Sequence, residues 1–316
     1  MSEVLFCTDT FWDRRGAEVA SIAPDLDVVR LVGDERVTDA DVERITIAFF
    51  SGDAWPERTP NFMRVCLQAT GLQWIHTMSA GIDHPVFRTF VERGVTLTTS
   101  SGSSASPIAQ TAMMYLLALT RDLPGWLRAQ AEHRWDQRSI RELEGLTLGV
   151  VGMGPIGTEV ARLGTAFGMH PIGMRRSVRG DEPCETWTFD RLPELVANVD
   201  ALVLAVPLTD ETRGIIDADA LASMRPGALF VNVGRGELVD EPALVEALRS
   251  GHLGGAGLDV FAVEPLPTDS PLWDLPNVIV TPHSSGTSAG TNRRGEDIFL
   301  DNLARRVAGD PLRNRA

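Results

Sequence analysis

The sequence is poor in cysteine: Cys7, Cys66 and Cys184 are the only three among 316 residues. They are odd in number, widely spaced and without zinc-type spacing. That excludes a disulfide framework and a cysteine-ligated zinc module, so no metal is expected, and it predicts a reduced, cytoplasmic setting. Positive charge is not in excess either. The formal net charge of -14 argues against a nucleic-acid partner or an anionic membrane surface. Long apolar runs are missing. The longest, Ala112–Leu119, falls far short of the roughly 18 residues needed to span a bilayer. The amino terminus, Met-Ser-Glu-Val-Leu-Phe, has no basic region and no cleavage site, so no signal peptide is expected. Repeats and low-complexity tracts are absent.

What is there is an ordinarily globular chain, 43% hydrophobic and long enough for two domains with a core each. Its centre is Leu146-Thr-Leu-Gly-Val-Val-Gly-Met-Gly-Pro-Ile-Gly157. The apolar, β-branched start reads as a buried parallel strand. A G-x-G-x-x-G turn follows at Gly152, Gly154 and Gly157, with Pro155 and Ile156 between, and then an amphipathic helical pattern. Gly152 permits the tight turn, Gly154 lets the backbone approach a pyrophosphate, and Gly157 lets helix and strand pack closely. Unpaired N–H groups and the dipole at the helix start attract phosphate, and Pro155 suits the first turn. Strand before and helix after favour dinucleotide binding over a structural glycine turn.

Before this centre, β-rich runs at Val4–Cys7, Val28–Val32, Ile45–Phe50, Gln73–Thr77 and Val95–Thr99 alternate with helical or loop segments. They predict a small α/β domain over about the first hundred residues, with no phosphate loop of its own. Ser79-Ala80-Gly81-Ile82-Asp83 reads, on its residues alone, as an ordinary turn. Ser100–Pro107 is a compositional break and a hinge candidate. A long, almost uniformly apolar helix is expected from Ile108 to Leu123, ending before Pro124, with Trp126 and Trp135 as packing residues, in the core or in an interface, and not as catalytic groups. A second series follows, with strands expected at 146–151, 170–174, 201–206, 228–233, 255–260 and 278–281. The tail, Arg293–Ala308, has a helical pattern and is expected to fold back on the first domain. The expected organisation is therefore residues 1–100 with 286–316 as a substrate-binding domain, and 101–285 as a dinucleotide-binding domain.

NAD sites of this type carry an acidic residue about 20 positions beyond the glycines. Here the second strand ends Ile172-Gly-Met-Arg175-Arg176-Ser177, and Asp181 and Glu182 lie too far along to replace it. Two arginines and a serine suit a ribose 2′-phosphate, which predicts NADP(H) in preference to NAD(H); two solvated surface arginines are the alternative. Arg235 follows Phe230-Val-Asn-Val-Gly, Glu264 follows Leu258-Asp-Val-Phe-Ala-Val, and His283 follows Val278-Ile-Val-Thr-Pro. Ligands in open α/β sheets bind beyond the carboxyl ends of strands, so the three side chains are expected on one edge with the glycine loop. An arginine can fork onto a carboxylate. A histidine exchanges protons near neutral pH, and a glutamate beside it orients the ring and favours its protonated form. With a nicotinamide as hydride carrier, the set predicts interconversion of a 2-hydroxy and a 2-oxo acid.

Gly-Met-Gly-Pro-Ile-Gly, Val-Gly-Arg-Gly-Glu-Leu-Val-Asp, Leu-Asp-Val-Phe-Ala-Val-Glu-Pro-Leu-Pro and Thr-Pro-His resemble the D-isomer-specific 2-hydroxyacid dehydrogenase family, in its glyoxylate/hydroxypyruvate reductase-like form. The resemblance covers nearly the whole chain and is most specific from Leu143 to His283. It implies two doubly wound parallel sheets, one Rossmann-like and one smaller and flavodoxin-like, with the site in the cleft. It implies a homodimer built on the long helix, and D stereochemistry. Carried over by position, Arg235 binds the substrate carboxylate, His283 is the acid/base and Glu264 supports it. Asp259 holds the nicotinamide amide, and Val206, Pro207, Thr212, Val233, Gly234 and Gly286 line the cofactor alongside Arg235 and His283. Ala80 and Gly81 become substrate-carboxylate residues, revising the turn reading. Gln110 and Ser284-Ser285 depart from the family pattern, at the subunit contact and in the pocket respectively. A formate or phosphite dehydrogenase of the same fold and a nucleotide-sensing corepressor are the rival readings; glutamate rather than glutamine at 264 speaks against formate.

Overall fold

The computed structural model describes residues 3–33, 35–79, 81–82 and 84–316. The chain divides into two compact units, residues 1–103 with 288–316, and residues 104–287. In the first unit five strands, β1 (Val4–Thr8), β2 (Asp27–Leu31), β3 (Ile47–Phe50), β4 (Trp74–Thr77) and β5 (Thr96–Thr99), form a parallel sheet of order β2-β1-β3-β4-β5. That is the flavodoxin-like order. Consecutive side chains point to opposite faces, so Leu5, Cys7, Ile47 and Phe49 enter one core cluster while Phe6, Ala48 and Phe50 enter the other. The helix Ala289–Ala308 belongs to this unit, where Phe299 stacks on Phe49 with centroids 4.3 Å apart.

The second unit holds β6 (Thr147–Val151), β7 (His170–Met174), β8 (Glu185–Trp187), β9 (Ala201–Leu204), β10 (Leu229–Asn232), β11 (Gly255–Leu258) and β12 (Val278–Val280). All pairs are parallel, in the order β12-β11-β10-β9-β6-β7-β8. This is the Rossmann order 3-2-1-4-5-6 with β12 added beyond the last strand. The fold is therefore α/β, with a Rossmann-like and a flavodoxin-like parallel sheet. Its strands are buried on both faces: Leu148, Val150, Val203 and Val231 enter one cluster, and Val151, Leu202, Leu204 and Phe230 the other.

Two expectations need correction. Six strands are expected here and seven are present, because β8 is a short edge strand, Glu-Thr-Trp, with no apolar run to mark it. The long helix stops at Thr120, and Pro124 begins a helix rather than ending one. Leu123–Ala131 starts there, with Pro124 in its first turn and the Asp122 carboxylate accepting the Gly125 N–H at 3.1 Å. Trp135 is 95% exposed, which leaves the interface reading of this residue and not the core one. No helix among the described residues is long and apolar enough to cross a membrane.

Candidate active site

The glycine loop closes β6 onto the helix Pro155–Ala166. Gly152 sits at φ +106, and a Cβ on Gly157 would lie 2.0 Å from the Gly152 carbonyl oxygen, so neither position accepts a side chain without moving backbone. Gly154 differs: a Cβ there would meet no atom within 4 Å. It caps the helix with no side-chain bond of its own, leaving the first N–H groups for an anion. Ile156 packs into the core beneath. A cavity of about 670 Å³ opens here, lined by Gly152–Gly154, Arg175–Ser177, Arg179, Val206, Pro207 and Thr212. Thr212 Oγ1 donates to the Pro207 carbonyl at 2.7 Å and fixes that wall. An open glycine, a free helix start and a cavity fit a dinucleotide.

Arg175 follows β7 and donates through Nη1 to Glu182 Oε1 at 2.8 Å. Glu182 also accepts the N–H groups of Arg179 and Gly180, each at 2.8 Å. Those backbone donors, with Arg175, hold its carboxyl down at about 2. Glu182 thus folds back onto Arg175 and is engaged within its own loop. Arg176 pairs with Glu211 at 2.7 Å, both 73% exposed, a contact too solvated to hold the arginine firmly. Arg179, not singled out in the sequence, brings a third guanidinium to the same cavity.

The three chemical side chains sit past β10, β11 and β12, each on a loop built for it. The fully buried Asn232 clamps the Arg235 turn, donating to the Arg235 carbonyl at 2.8 Å and accepting the Gly234 N–H at 3.0 Å. Arg235 Nη1 donates to the Gly234 carbonyl at 2.8 Å. Gly236 lets this loop touch the next: a Cβ there would lie 1.8 Å from the Phe261 carbonyl carbon. Val233 is buried, and Gly286 lies against Ser104 and Ile108. The Phe261 N–H in turn orients Glu264 through Oε1 at 3.0 Å, leaving Oε2 to meet His283 Nδ1 at 2.7 Å. That contact makes Nδ1 the N–H-bearing nitrogen and Nε2 the one available to a ligand. His283 has φ +48, a left-handed conformation that costs a non-glycine residue about 1–3 kcal/mol and is held only where its surroundings fix it.

Asp259 directly follows β11. It is 1% exposed, and its carboxylate accepts from Thr281 Oγ1, from Ser284 N at 3.0 Å, and from both the N–H and hydroxyl of Ser285. These four donors tie the carboxylate to the loop that carries His283. In the first unit, Gly81 accepts from Ser79 Oγ at 2.8 Å, and Ala80 lies outside the described residues. Trp74 is a core residue, its indole N–H donating to Thr98 at 2.8 Å. Asn232 was legible as a polar residue at the end of an apolar strand; Glu182 and Arg179 carried no motif. Among the described residues, no group of three or more His, Cys, Asp or Glu is placed to hold a metal.

The family model for the D-isomer specific 2-hydroxyacid dehydrogenase NAD binding domain matches residues 113–285. The chain is 38% identical over 229 residues to the hydroxypyruvate reductase of Thermotoga maritima, covering 71% of this chain and 74% of that one. It is 37% identical over 238 residues, 74% of its length, to the D-3-phosphoglycerate dehydrogenase of Mycobacterium tuberculosis, of which it spans 45%. Among solved structures it is similar to an NADPH-dependent glyoxylate/hydroxypyruvate reductase from Sinorhizobium meliloti in complex with NADP and sulfate. That likeness has a TM-score of 0.81 and 30% identity, and covers 100% of this chain and 98% of that one. A dinucleotide cradle and an Arg–Glu–His set on one sheet edge, in a chain so matched, make it an NAD(P)-dependent oxidoreductase belonging to the D-isomer specific 2-hydroxyacid dehydrogenase family.

Proposed function

We propose that the chain reduces a small 2-oxo acid to the D-2-hydroxy acid, with NADPH preferred to NADH. The observation that carries this is the His283–Glu264 contact at 2.7 Å, held past adjoining strands together with Arg235. When bound, the nicotinamide dinucleotide supplies the hydride. His283 gives a proton from Nε2 to the oxygen that becomes the hydroxyl. Glu264 accepts from Nδ1 and so decides which nitrogen faces the substrate. Arg235 binds the substrate carboxylate and steadies charge growing on the 2-oxo oxygen. The start of the helix Pro155–Ala166 binds pyrophosphate, between walls formed by Val206, Pro207, Thr212, Val233, Gly234 and Gly286. Arg175, Arg176, Ser177 and Arg179 take the ribose 2′-phosphate, the cation-rich cavity edge being what supports the preference.

The same reading makes the chain a homodimer. Met114, Leu123, Leu127, Trp135 and Ile140 are exposed apolar side chains clustered in one stretch of sequence, a composition that suits a subunit contact. The test is a panel of glyoxylate, hydroxypyruvate, pyruvate and bulkier 2-oxo acids with NADPH and with NADH, followed by loss of reduced-nicotinamide absorbance. Turnover of at least one small acid, faster and at lower concentration with NADPH, is expected. Failure of every acid, or preference for NADH, overturns the reading. Sedimentation of the wild type against Trp135→Glu checks the dimer.

A further inference from the structure

We infer that Glu211 is a cofactor-selectivity residue. From the far lip of the cofactor cavity it competes with the ribose 2′-phosphate for Arg176, and so holds the preference for NADPH below what the arginines alone would give. The inference rests on the cofactor reading proposed above. Its basis is where the two side chains start. β7 and β9 are the two neighbours of β6 in the sheet. The glycine loop leaves β6, so the loops that leave β7 and β9 stand on either side of it. Arg176 comes from the first and Glu211 from the second, 35 residues further on, and their contact at 2.7 Å spans the cavity that both line.

Glu211 differs from the other charges of this cavity. It is the single carboxylate among the described residues that line it, against Arg175, Arg176 and Arg179. Its backbone is fixed: Thr212 beside it is buried, and the Thr212 hydroxyl accepts the Thr209 N–H at 2.8 Å while donating to the Pro207 carbonyl at 2.7 Å. Its carboxylate is not fixed. Glu182, the partner of Arg175, is held by two backbone N–H groups as well, and its side chain is 5% exposed, so it belongs to its loop. Glu211 meets Arg176 alone among the described residues and is 73% exposed. An exposed pair of this kind shifts an equilibrium by about fivefold at most. A phosphate offers Arg176 more charge and two oxygens for its fork, so it displaces the carboxylate and forfeits the strength of the pair it breaks. NADH carries a hydroxyl in that place and has no charge to set against Glu211. Pyrophosphate and nicotinamide are common to both cofactors, so the ratio of the two affinities isolates the effect.

The experiment is fluorescence titration of the full chain with NADPH and with NADH, for the wild type, Glu211→Gln, Arg176→Ala and the double variant. Glu211→Gln should lower the NADPH Kd about two- to fivefold and move the NADH Kd by less than about 1.5-fold. In the Arg176→Ala background the same substitution should leave the NADPH Kd in place, because the pair it would release is already gone. The gain should shrink at about 0.5 M salt, where exposed charges are screened. An unmoved NADPH Kd in Glu211→Gln overturns the inference, and so does a higher one, which would make Glu211 a brace for Arg176. Equal tightening of both cofactors overturns it as well, since the effect would then fall on the part they share. A gain that survives Arg176→Ala intact does the same. If the wild type binds NADH more tightly but Glu211→Gln still tightens NADPH alone, the competition stands and the proposed preference fails. A wild type that prefers NADPH, with a ratio that Glu211→Gln does not move, keeps the preference and removes Glu211 from it.

Discussion

Strand order reverses once in each unit, between β1 and β3 in the first and between β6 and β9 in the second, and in open parallel sheets such a reversal opens a crevice at the carboxyl ends. The two crevices are used in opposite ways. In the first unit, side chains fill it. Thr8 and Ser51 hydroxyls meet at 3.1 Å, Ser51 donates to Asp53 at 2.9 Å, and Arg58 bridges Asp9 at 2.6 Å and Asp53 at 2.7 Å. In the second unit the strand end turns on Gly152, and the next glycine, Gly154, faces open space. Topology supplies the crevice in both; the residues decide whether it admits a ligand or is closed by ion pairs. Substitutions at the open crevice and its edge should therefore remove binding and chemistry with little loosening of the fold, and substitutions in the filled one should do the reverse.

The sharpest contrast is expected at His283. His283→Asn should lower kcat by about 10²- to 10⁴-fold, the usual contribution of a positioned acid/base group, with the NADPH Kd and melting temperature nearly unchanged. Steady-state kinetics with cofactor fluorescence titration checks this, and wild-type turnover would remove His283 from the chemistry. Next comes the cavity edge. Arg175→Asp with Arg176→Ala should weaken NADPH relative to NADH by about 10- to 100-fold, since charge-assisted bonds contribute about 1.5–3 kcal/mol each. An unmoved ratio of the two dissociation constants would mean that these arginines do not read the 2′-phosphate. Within the loop itself, Gly154→Ala should fold normally and bind cofactor more weakly. Gly157→Ala should lower the melting temperature, because its Cβ would lie 2.0 Å from a backbone oxygen. Equal melting temperatures for the two would break the distinction between an open and a packed glycine.

The sequence made the second unit more legible than the first, and the reason is physical. A dinucleotide demands particular backbone approaches, so Gly152, Gly154 and Gly157 stand at fixed spacing and read locally. The β-rich runs of both units are also legible, since strands buried on both faces must be apolar. The edge strand Glu185–Trp187 was not, being half-exposed and polar. The donors around Asp259 were hidden for another reason. Tyr115 lies far in sequence from Thr281 and meets it only after the helix Ala105–Thr120 has packed on β11, while Thr281 and Ser285 lie in the loop past β12, more than twenty residues from Asp259. Pro124 misled because proline ends one helix and begins another equally well, and only the Asp122 cap beside it distinguishes the cases. The Asp9–Arg58–Asp53 cluster has no signature, because ion pairs between loops obey no spacing.

That cluster carries the smallest predicted effect and the most direct test of the filled crevice. Arg58→Gln leaves Asp9 and Asp53 facing each other without their shared cation, and should cost about 1–3 kcal/mol in unfolding free energy with the NADPH Kd unchanged. The acid limb identifies the cause. Arg58 is the main reason that the Asp9 carboxyl stands at about 2, below its ordinary 3.8. A carboxyl depressed in the folded chain stabilises it above the unfolded value, and that stabilisation fades as pH falls from about 4 to about 2. In that window the unfolded chain takes up the proton first. Glu182 has a similarly low carboxyl in the second unit, so the wild-type acid limb mixes both units, and the difference between wild type and Arg58→Gln isolates the first. The difference should be largest near neutral pH and shrink toward pH 2. A gap that stays constant across the window would mean that Arg58 acts through packing of its aliphatic stem, and that apolar contact, not charge, closes the crevice between β1 and β3.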